Sequence, residues 1–317
     1  MSDKNVIITG ANSGIGKAAA YRFAYEGYKV IMACRNIDSS KHIQNEIINT
    51  TKNGNVDLLQ LDTSSFTSIK SFVETCKQKY QKLDILINNA AYFEHGSKFK
   101  LSDDDIELTF ATNVLGPYLL TTLLIDLLKK SSDARVLNCG SNIIKHFFNP
   151  KKEINFDRIK SNKSSDSFSV YESYRDSKMA LLMLTFKMAD EFKQHNINVN
   201  SLQINGAKMS KETLNKFTFK WKIIAAVQNL FFPPADFMAD KYFEICTSDK
   251  YRNITGKLIN HKLEIMEPAK NNKSNSEFAK VLGSKYYPDY AEDEKLIESV
   301  WSLCKEYTGV QSNYLIM

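Results

Sequence analysis

The chain has 317 residues, of which 43% are hydrophobic and 25% charged, and its 42 basic and 36 acidic side chains leave a net charge of +6. This length can bury a full core in one large domain, and the balance is that of an ordinary globular protein. The two signs are interspersed with no basic arm, which argues against a nucleic-acid partner. The cysteines (Cys34, Cys76, Cys139, Cys246, Cys304) are odd in number and scattered through apolar stretches, which argues against a disulfide or zinc framework. No leader-like stretch precedes the first apolar run, and no uninterrupted apolar run of about 18 residues occurs, so the cytosol is the expected location.

In chain order, the β-branched run Lys4 to Thr9 predicts a first strand. It stops at Gly10, and TGANSGIG leads into KAAAYRFAYEG, which has helical composition. A strand, a glycine-rich turn and a helix N-terminus form a place where backbone can approach a phosphate and unpaired N–H groups favour an anion. Gly10 suits the tight turn, Gly14 a close approach, and Gly16 the packing of helix on sheet. Further buried strands are expected at Lys29 to Cys34, Val56 to Asp62, Asp84 to Ala90, Ala134 to Gly140, Ile197 to Ile204 and Ile254 to Asn260, with helical stretches between. Right-handed crossovers then predict an α/β fold of three layers, a doubly wound, mostly parallel seven-stranded sheet with ligands at the carboxyl ends of its strands.

Tyr174 and Lys178 are four residues apart in YESYRDSKMALLMLTF, so a helix stacks a phenol and an ammonium on one face. By itself the pair also fits a solvated Tyr and Lys. Arg35 follows the second strand, where a guanidinium suits a ribose 2′-phosphate, although Asp38 lies three residues on. NADP(H) is therefore the preferred cofactor, with NAD(H) left open.

The TGxxxGxG turn, Asn88 to Ala91, Asn113, Ser141 and Tyr174-x-x-x-Lys178, in that order, resemble the short-chain dehydrogenase/reductase family over residues 4–265, with its Rossmann fold. MACRN after the second strand, LDTSS after the third and the long gap from Ser141 to Tyr174 are similar to its retinol-dehydrogenase-like group. The resemblance implies a catalytic set of Asn113, Ser141, Tyr174 and Lys178. It also implies cofactor contacts from Gly10, Asn12, Ser13, Gly14, Ile15, Gly16, Arg35, Asp62 near the adenine, Asn88 and Ala90 along a ribose, Tyr174 and Lys178. Tyr174 is then the proton donor or acceptor, and Lys178 lowers the tyrosine pKa and holds the nicotinamide ribose. Ser141 donates to the substrate oxygen, and Asn113 holds a water that relays protons to the lysine. For Asp62 a helix cap on the TSSFTSIKSF segment is an equal alternative, and Ser141 as a turn residue or Asn113 as a core polar residue are near-equal ones.

Three departures stand out. Ala91 replaces the glycine that usually closes Asn-Asn-Ala-Gly and requires negative φ there; Cys139-Gly140 precede Ser141; and Asn205-Gly206 replaces a proline-glycine turn after the sixth strand. That last change leaves the carboxamide-contacting position open between Met209 and Ser210. The stretch from Ile143 to Ser173 should border the pocket. Residues 206–245, with an apolar segment from Phe217 to Phe232 before Pro233-Pro234, read as a lid, a cover on the sheet, or, with Lys216, Lys220 and Lys222, a peripheral membrane contact. Residues 266–317 read as an extension whose helix, Ala291 to Tyr307, packs on the same domain as a homodimer or monomer. The expected function is an NADP(H)-dependent oxidoreductase on a lipophilic small-molecule alcohol or carbonyl. The alternative is a catalytically silent dinucleotide-binding protein that reports cofactor state or binds a partner.

Overall fold

The computed structural model of the chain describes residues 3–94, 96–160, 168–208, 222, 229, 232–271 and 283–310. Seven strands form the central sheet: β1 (Asn5–Thr9), β2 (Lys29–Cys34), β3 (Val56–Gln60), β4 (Ile85–Asn88), β5 (Ala134–Ser141), β6 (Ile197–Ile204) and β7 (Leu258–Ile259). Their order is β3-β2-β1-β4-β5-β6-β7 and every pairing is parallel. Both faces are covered, which is why the strands read as continuous apolar runs and not as alternating ones. The expected Ile254 to Asn260 strand shrinks to two residues, because Gly256 (φ +66°) and the turn after Ile259 leave little extended chain to pair.

Helices α1 (Gly14–Tyr25), α2 (Ile37–Thr51), α3 (Phe66–Lys79), α4 (Gly116–Leu123), α5 (Val170–Phe192), α6 (Ala235–Thr247) and α7 (Glu294–Thr308) flank the sheet. Val6 and Ile8 face a core shared with α1, α2 and α6, while Ile7 faces one shared with α3, α4, α5 and α7. Local chemistry sets the helix starts. Asn36 caps α2, Ser65 caps α3, Asp293 caps α7, and Ser169 accepts from the Glu172 amide at α5 in the Ser-x-x-Glu pattern. Gly309, at φ +66°, ends α7.

The two β1 neighbours, β2 and β4, run into connections on opposite sides, so the crevice of the fold opens beside the end of β1. The described part of the stretch after β5 contributes to the core. Ile144, Phe147, Ile154 and Ile159 are buried, Phe147 stacks on Tyr290 at 4.9 Å, and the Ile154 amide donates to the Tyr290 hydroxyl at 3.0 Å. Helix α7 lies against α5 and α4, with Trp301 edge-on to Tyr118 at 5.1 Å, a pair worth about 1 kcal/mol beyond its burial. Of the expected apolar side of this helix, Val300, Trp301, Leu303 and Cys304 are buried, and Leu296 and Ile297 pack at its margin. The five cysteines are free and buried. No described helix is long and apolar enough to cross a membrane. Of the expected apolar segment, Phe217, Phe219, Trp221, Ile223, Ile224, Val227, Leu230 and Phe231 lie outside the described residues, as do Met209, Ser210, Lys216 and Lys220.

Candidate active site

The turn after β1 is built by close backbone contact. Gly10 sits at φ +66°, its amide donates to the Ala33 carbonyl at 2.8 Å, and a Cβ on it would meet Ala90 at 3.2 Å. Gly16 is tighter still: a Cβ there would lie 2.3 Å from the Gly10 carbonyl oxygen. Beneath the turn, Thr9 Oγ1 accepts from the amides of Asn89 at 2.9 Å and Ala90 at 2.8 Å, and Asn89 Nδ2 donates to the Thr9 carbonyl at 2.9 Å. This cross-link fastens the end of β4 to the end of β1.

Above the turn there is space. A Cβ on Gly14, at φ +54°, would meet nothing within 4 Å, and Ser13, at the N-cap of α1, makes no side-chain cap bond. The first amides of a twelve-residue helix thus stand uncapped beside a glycine with open space over it. That is a cradle for a dinucleotide pyrophosphate, and the residues present fit one. Asn12 Nδ2 donates to Ser40 Oγ at 2.9 Å, tying the turn to α2, and Ile15 is partly buried at its edge. Arg35 follows β2, exposed and without an ion pair among the described residues; Asp38 is exposed in the first turn of α2.

At the end of β3, Asp62 does not cap α3. Ser65 does, while Asp62 Oδ1 accepts from the Ser64 amide at 2.9 Å and the Ser64 hydroxyl at 2.6 Å. The cap alternative for Asp62 is thereby removed, and its second carboxylate oxygen has no hydrogen bond among the described residues. Asn88 is placed differently from the expected ribose contact. Its side chain is buried in the core, donating to Asn138 Oδ1 at 2.8 Å and Thr121 Oγ1 at 3.1 Å. As the last strand residue its side chain follows the pleat inward, so the chain offers the backbone of Asn89 and Ala90 at this edge instead. Ala91 keeps negative φ, as its side chain requires.

Ser141, Tyr174 and Lys178 meet at the end of β5. Ser141 Oγ accepts from the Ile143 amide at 3.3 Å, so its own proton faces the Tyr174 side and is the one it has to donate. Tyr174, on α5, lies under the Phe93 ring at 4.5 Å. Burial pushes its phenol up to about 12, with the Ser141 hydroxyl acting in the opposite direction. Lys178 is buried, with Nζ 2.8 Å from the Cys139 carbonyl and 5.6 Å from the Tyr174 ring centre. Burial holds it down to about 8. The net lowering of the tyrosine expected from Lys178 is not found: burial is the largest influence on both groups, raising Tyr174 and lowering Lys178. Asn113 occupies a π-helical turn, Ala111–Leu115, that turns its amide toward the site; such bulges gather at functional positions. Its Oδ1 accepts from the Tyr92 amide at 2.8 Å, and Nδ2 donates to the Tyr92 carbonyl at 3.2 Å and Ser177 Oγ at 3.0 Å. Both amide protons are used, so a water relay cannot take one from this side chain.

Sequence reasoning took Asn89 only as part of the Asn88 to Ala91 motif and did not foresee that it braces the turn, and it missed Tyr242 and Phe93. Tyr242, fully buried on α6, accepts from Cys139 Sγ at 2.8 Å and donates to Asn89 Oδ1 at 3.1 Å. Nothing near Tyr242 in sequence signals this, because its partners come from other elements.

A scan against protein families matches short chain dehydrogenase over residues 4–149. Retinol dehydrogenase 13 of Homo sapiens is 31% identical over 262 residues, covering 76% of this chain and 76% of that protein. A Shigella flexneri protein assigned as a short-chain dehydrogenase, solved with NADP, superposes with a TM-score of 0.63 at 19% identity, over 83% of this chain and 98% of its own. The 3-ketoacyl-(acyl-carrier-protein) reductase of Brucella melitensis, solved with NADH, gives a TM-score of 0.62 at 23% identity, over 82% and 96%. These two likenesses show a shared fold. The sequence match goes further: the chain belongs to the short-chain dehydrogenase family, is most similar to its retinol-dehydrogenase-like group, and is an oxidoreductase of alcohol and carbonyl groups.

Proposed function

We propose that the chain interconverts a lipophilic carbonyl and its alcohol with NADP(H), using Tyr174 as general acid and base. The observation that carries the reading is the meeting of Ser141, Tyr174 and Lys178 at the same sheet edge as the Gly10–Gly16 cradle. When bound there, a reduced nicotinamide supplies hydride to the carbonyl carbon. The chain's part is protonic. With its phenol raised to about 12, Tyr174 is protonated across the neutral range and is set to donate to the carbonyl oxygen as charge develops on it. Ser141, whose oxygen already accepts from Ile143, donates its own proton to that same oxygen. Once the phenol has given up its proton, the Lys178 ammonium is the nearby charge that steadies the phenolate.

The exposed Arg35 guanidinium after β2, with no competing ion pair among the described residues, supports a 2′-phosphate and hence NADP(H). An aromatic cover supports a lipophilic substrate: the Phe93 ring lies 4.5 Å from that of Tyr174.

The test is NADPH oxidation against a panel of aldehydes and ketones, wild type beside Tyr174→Phe. A loss of about 10²- to 10⁴-fold in kcat/KM, with NADPH affinity kept, is expected. NADPH binding with no turnover on any carbonyl or alcohol, in the wild type itself, would favour the catalytically silent dinucleotide-binding protein instead.

A further inference from the structure

The strands β5 and β6 run in register, with Ser141 opposite Ile204, so Asn205 is the first residue beyond the partner of the proposed substrate hydrogen-bond donor. The chain turns there. Gly206 takes φ +134°, and a Cβ on it would sit 2.6 Å from the Phe232 ring; two residues on, the Lys208 amide donates to the Pro233 carbonyl at 2.8 Å. Asn205 lacks the ring that would fix its φ, and its Oδ1 is buried with no hydrogen-bond partner among the described residues. Its Nδ2 lies 2.8 Å from His261 Nδ1.

His261 stands on a rigid support. Asn260, fully buried, accepts at Oδ1 from the amides of Lys262 (2.8 Å) and Glu264 (3.1 Å), and its Nδ2 donates to Glu264 Oε2 and to the Ser284 carbonyl, each at 2.9 Å. The turn after β6 is therefore tied to this braced turn by the Asn205–His261 side-chain hydrogen bond. An asparagine N–H can donate to an imidazole nitrogen only when that nitrogen carries a lone pair.

We propose that His261 is a positioning residue for this reaction centre: as the tautomer protonated on Nε2, it accepts from Asn205 and holds the turn after β6 in place beside Ser141. The inference rests on the reading that the Ser141–Tyr174 edge is where reaction occurs. Protonation of the imidazole converts the acceptor into a donor and breaks this bond. The groups around it are Lys145 from the turn after β5, Lys241 from α6, and Lys262 and Glu264 on its own turn. Burial and the three lysines hold the imidazole below its ordinary value of 6.5, with Glu264 opposing them. A group whose folded pKa is lowered is neutral at neutral pH, so the clasp is intact there and is lost as pH falls through the folded value.

Nitrogen-15 NMR of the imidazoles, with the His261 signals assigned by their loss in His261→Asn, should show Nδ1 bare and Nε2 protonated at neutral pH. NADPH affinity and carbonyl KM are then measured from neutral to acid pH. His261→Ala should weaken both about fivefold at neutral pH, the loss of one net hydrogen bond. His261→Asn, whose amide oxygen takes the place of Nδ1 and does not titrate, should restore neutral behaviour and abolish the acid loss seen in wild type. Asn205→Ala combined with His261→Ala should be no worse than either alone. A proton found on Nδ1, additive single losses, or an acid loss that persists in His261→Asn would overturn the proposal. Failure of the functional reading looks different: Tyr174→Phe would turn over like wild type, while the tautomer and the NADPH affinities would still decide the clasp.

Discussion

The cradle after β1 and the reacting edge after β5 lie side by side on one sheet, yet they are held by different physics. The cradle is made from backbone: Gly16 admits the Gly10 carbonyl where no side chain fits, Thr9 and Asn89 satisfy the turn's polar groups, and none of these titrates. The proposed reacting edge is made from ionisable groups, with the buried Lys178 held down to about 8 and the partly buried Tyr174 pushed up to about 12. The first should respond to volume and be indifferent to pH. The second should tolerate volume and follow pH. Storing a buried cation at the centre of a fold is destabilising, and it is the kind of strain that function retains.

Lys178→Met is the sharpest way to break the comparison. It should abolish measurable reduction, a loss of about 100-fold or more, and yet raise stability at neutral pH. A depression from 10.5 to about 8 corresponds to roughly 3 kcal/mol of disfavoured charge, less about 1 kcal/mol for the Cys139 carbonyl left without its donor. The sign over pH follows from proton counting. The unfolded lysine keeps its proton up to 10.5 while the folded one releases it near 8, so wild-type stability rises across that window. The advantage of Lys178→Met should shrink over the same window, as seen in denaturant midpoints at each pH. A variant less stable than wild type at neutral pH would mean that the cation is well solvated after all.

Gly16→Ala probes the other side. With a Cβ 2.3 Å from the Gly10 carbonyl, it should cost about 2–3 kcal/mol at every pH, whereas Gly14→Ala, with nothing within 4 Å, should cost only about 1 kcal/mol for its φ of +54°. Thermal melts with and without NADPH separate the two: Gly16→Ala should melt low in both, and Gly14→Ala should lose mainly the rise on NADPH binding. Equal melting of the two variants would contradict a turn limited by the Gly10 contact. A cofactor-selective effect is expected at Arg35. Arg35→Ala should weaken NADPH about tenfold and leave NADH unchanged, read by fluorescence titration; equal losses for both would remove the 2′-phosphate assignment.

Much of the fold was legible because it is written in neighbouring residues. The runs Lys29 to Cys34 and Ile197 to Ile204 are strands at those bounds, and the glycine-rich turn stands between the strand and helix foreseen for it. Ser141, Tyr174 and Lys178 come together at one edge as their spacing and order suggested. The misreadings turned on near neighbours, on opposing energies or on how far a strand extends. Ser65, three residues beyond Asp62, takes the cap of α3, and the Asn88 side chain, expected along a ribose, points to Asn138 while Asn89 braces the turn, since strand pleat and helix start decide which side chain points where. The seventh strand was overcalled, because an apolar run fixes the tendency to pair and not how far a partner extends.

By itself, then, the amino-acid order determined the parallel sheet, the glycine-rich turn after its first strand and which side chains stand at the strand ends, through periodicity, glycine freedom and capping that act within a few residues. Tertiary structure alone decided their charge states and supports. The direction of the tyrosine shift, the seat of Lys178 on the Cys139 carbonyl, the Cys139–Tyr242–Asn89 chain and the Asn205–His261 bond all join residues distant in sequence. Desolvation and hydrogen-bond pairing depend on which atoms surround a group, and those atoms are brought there only by the fold.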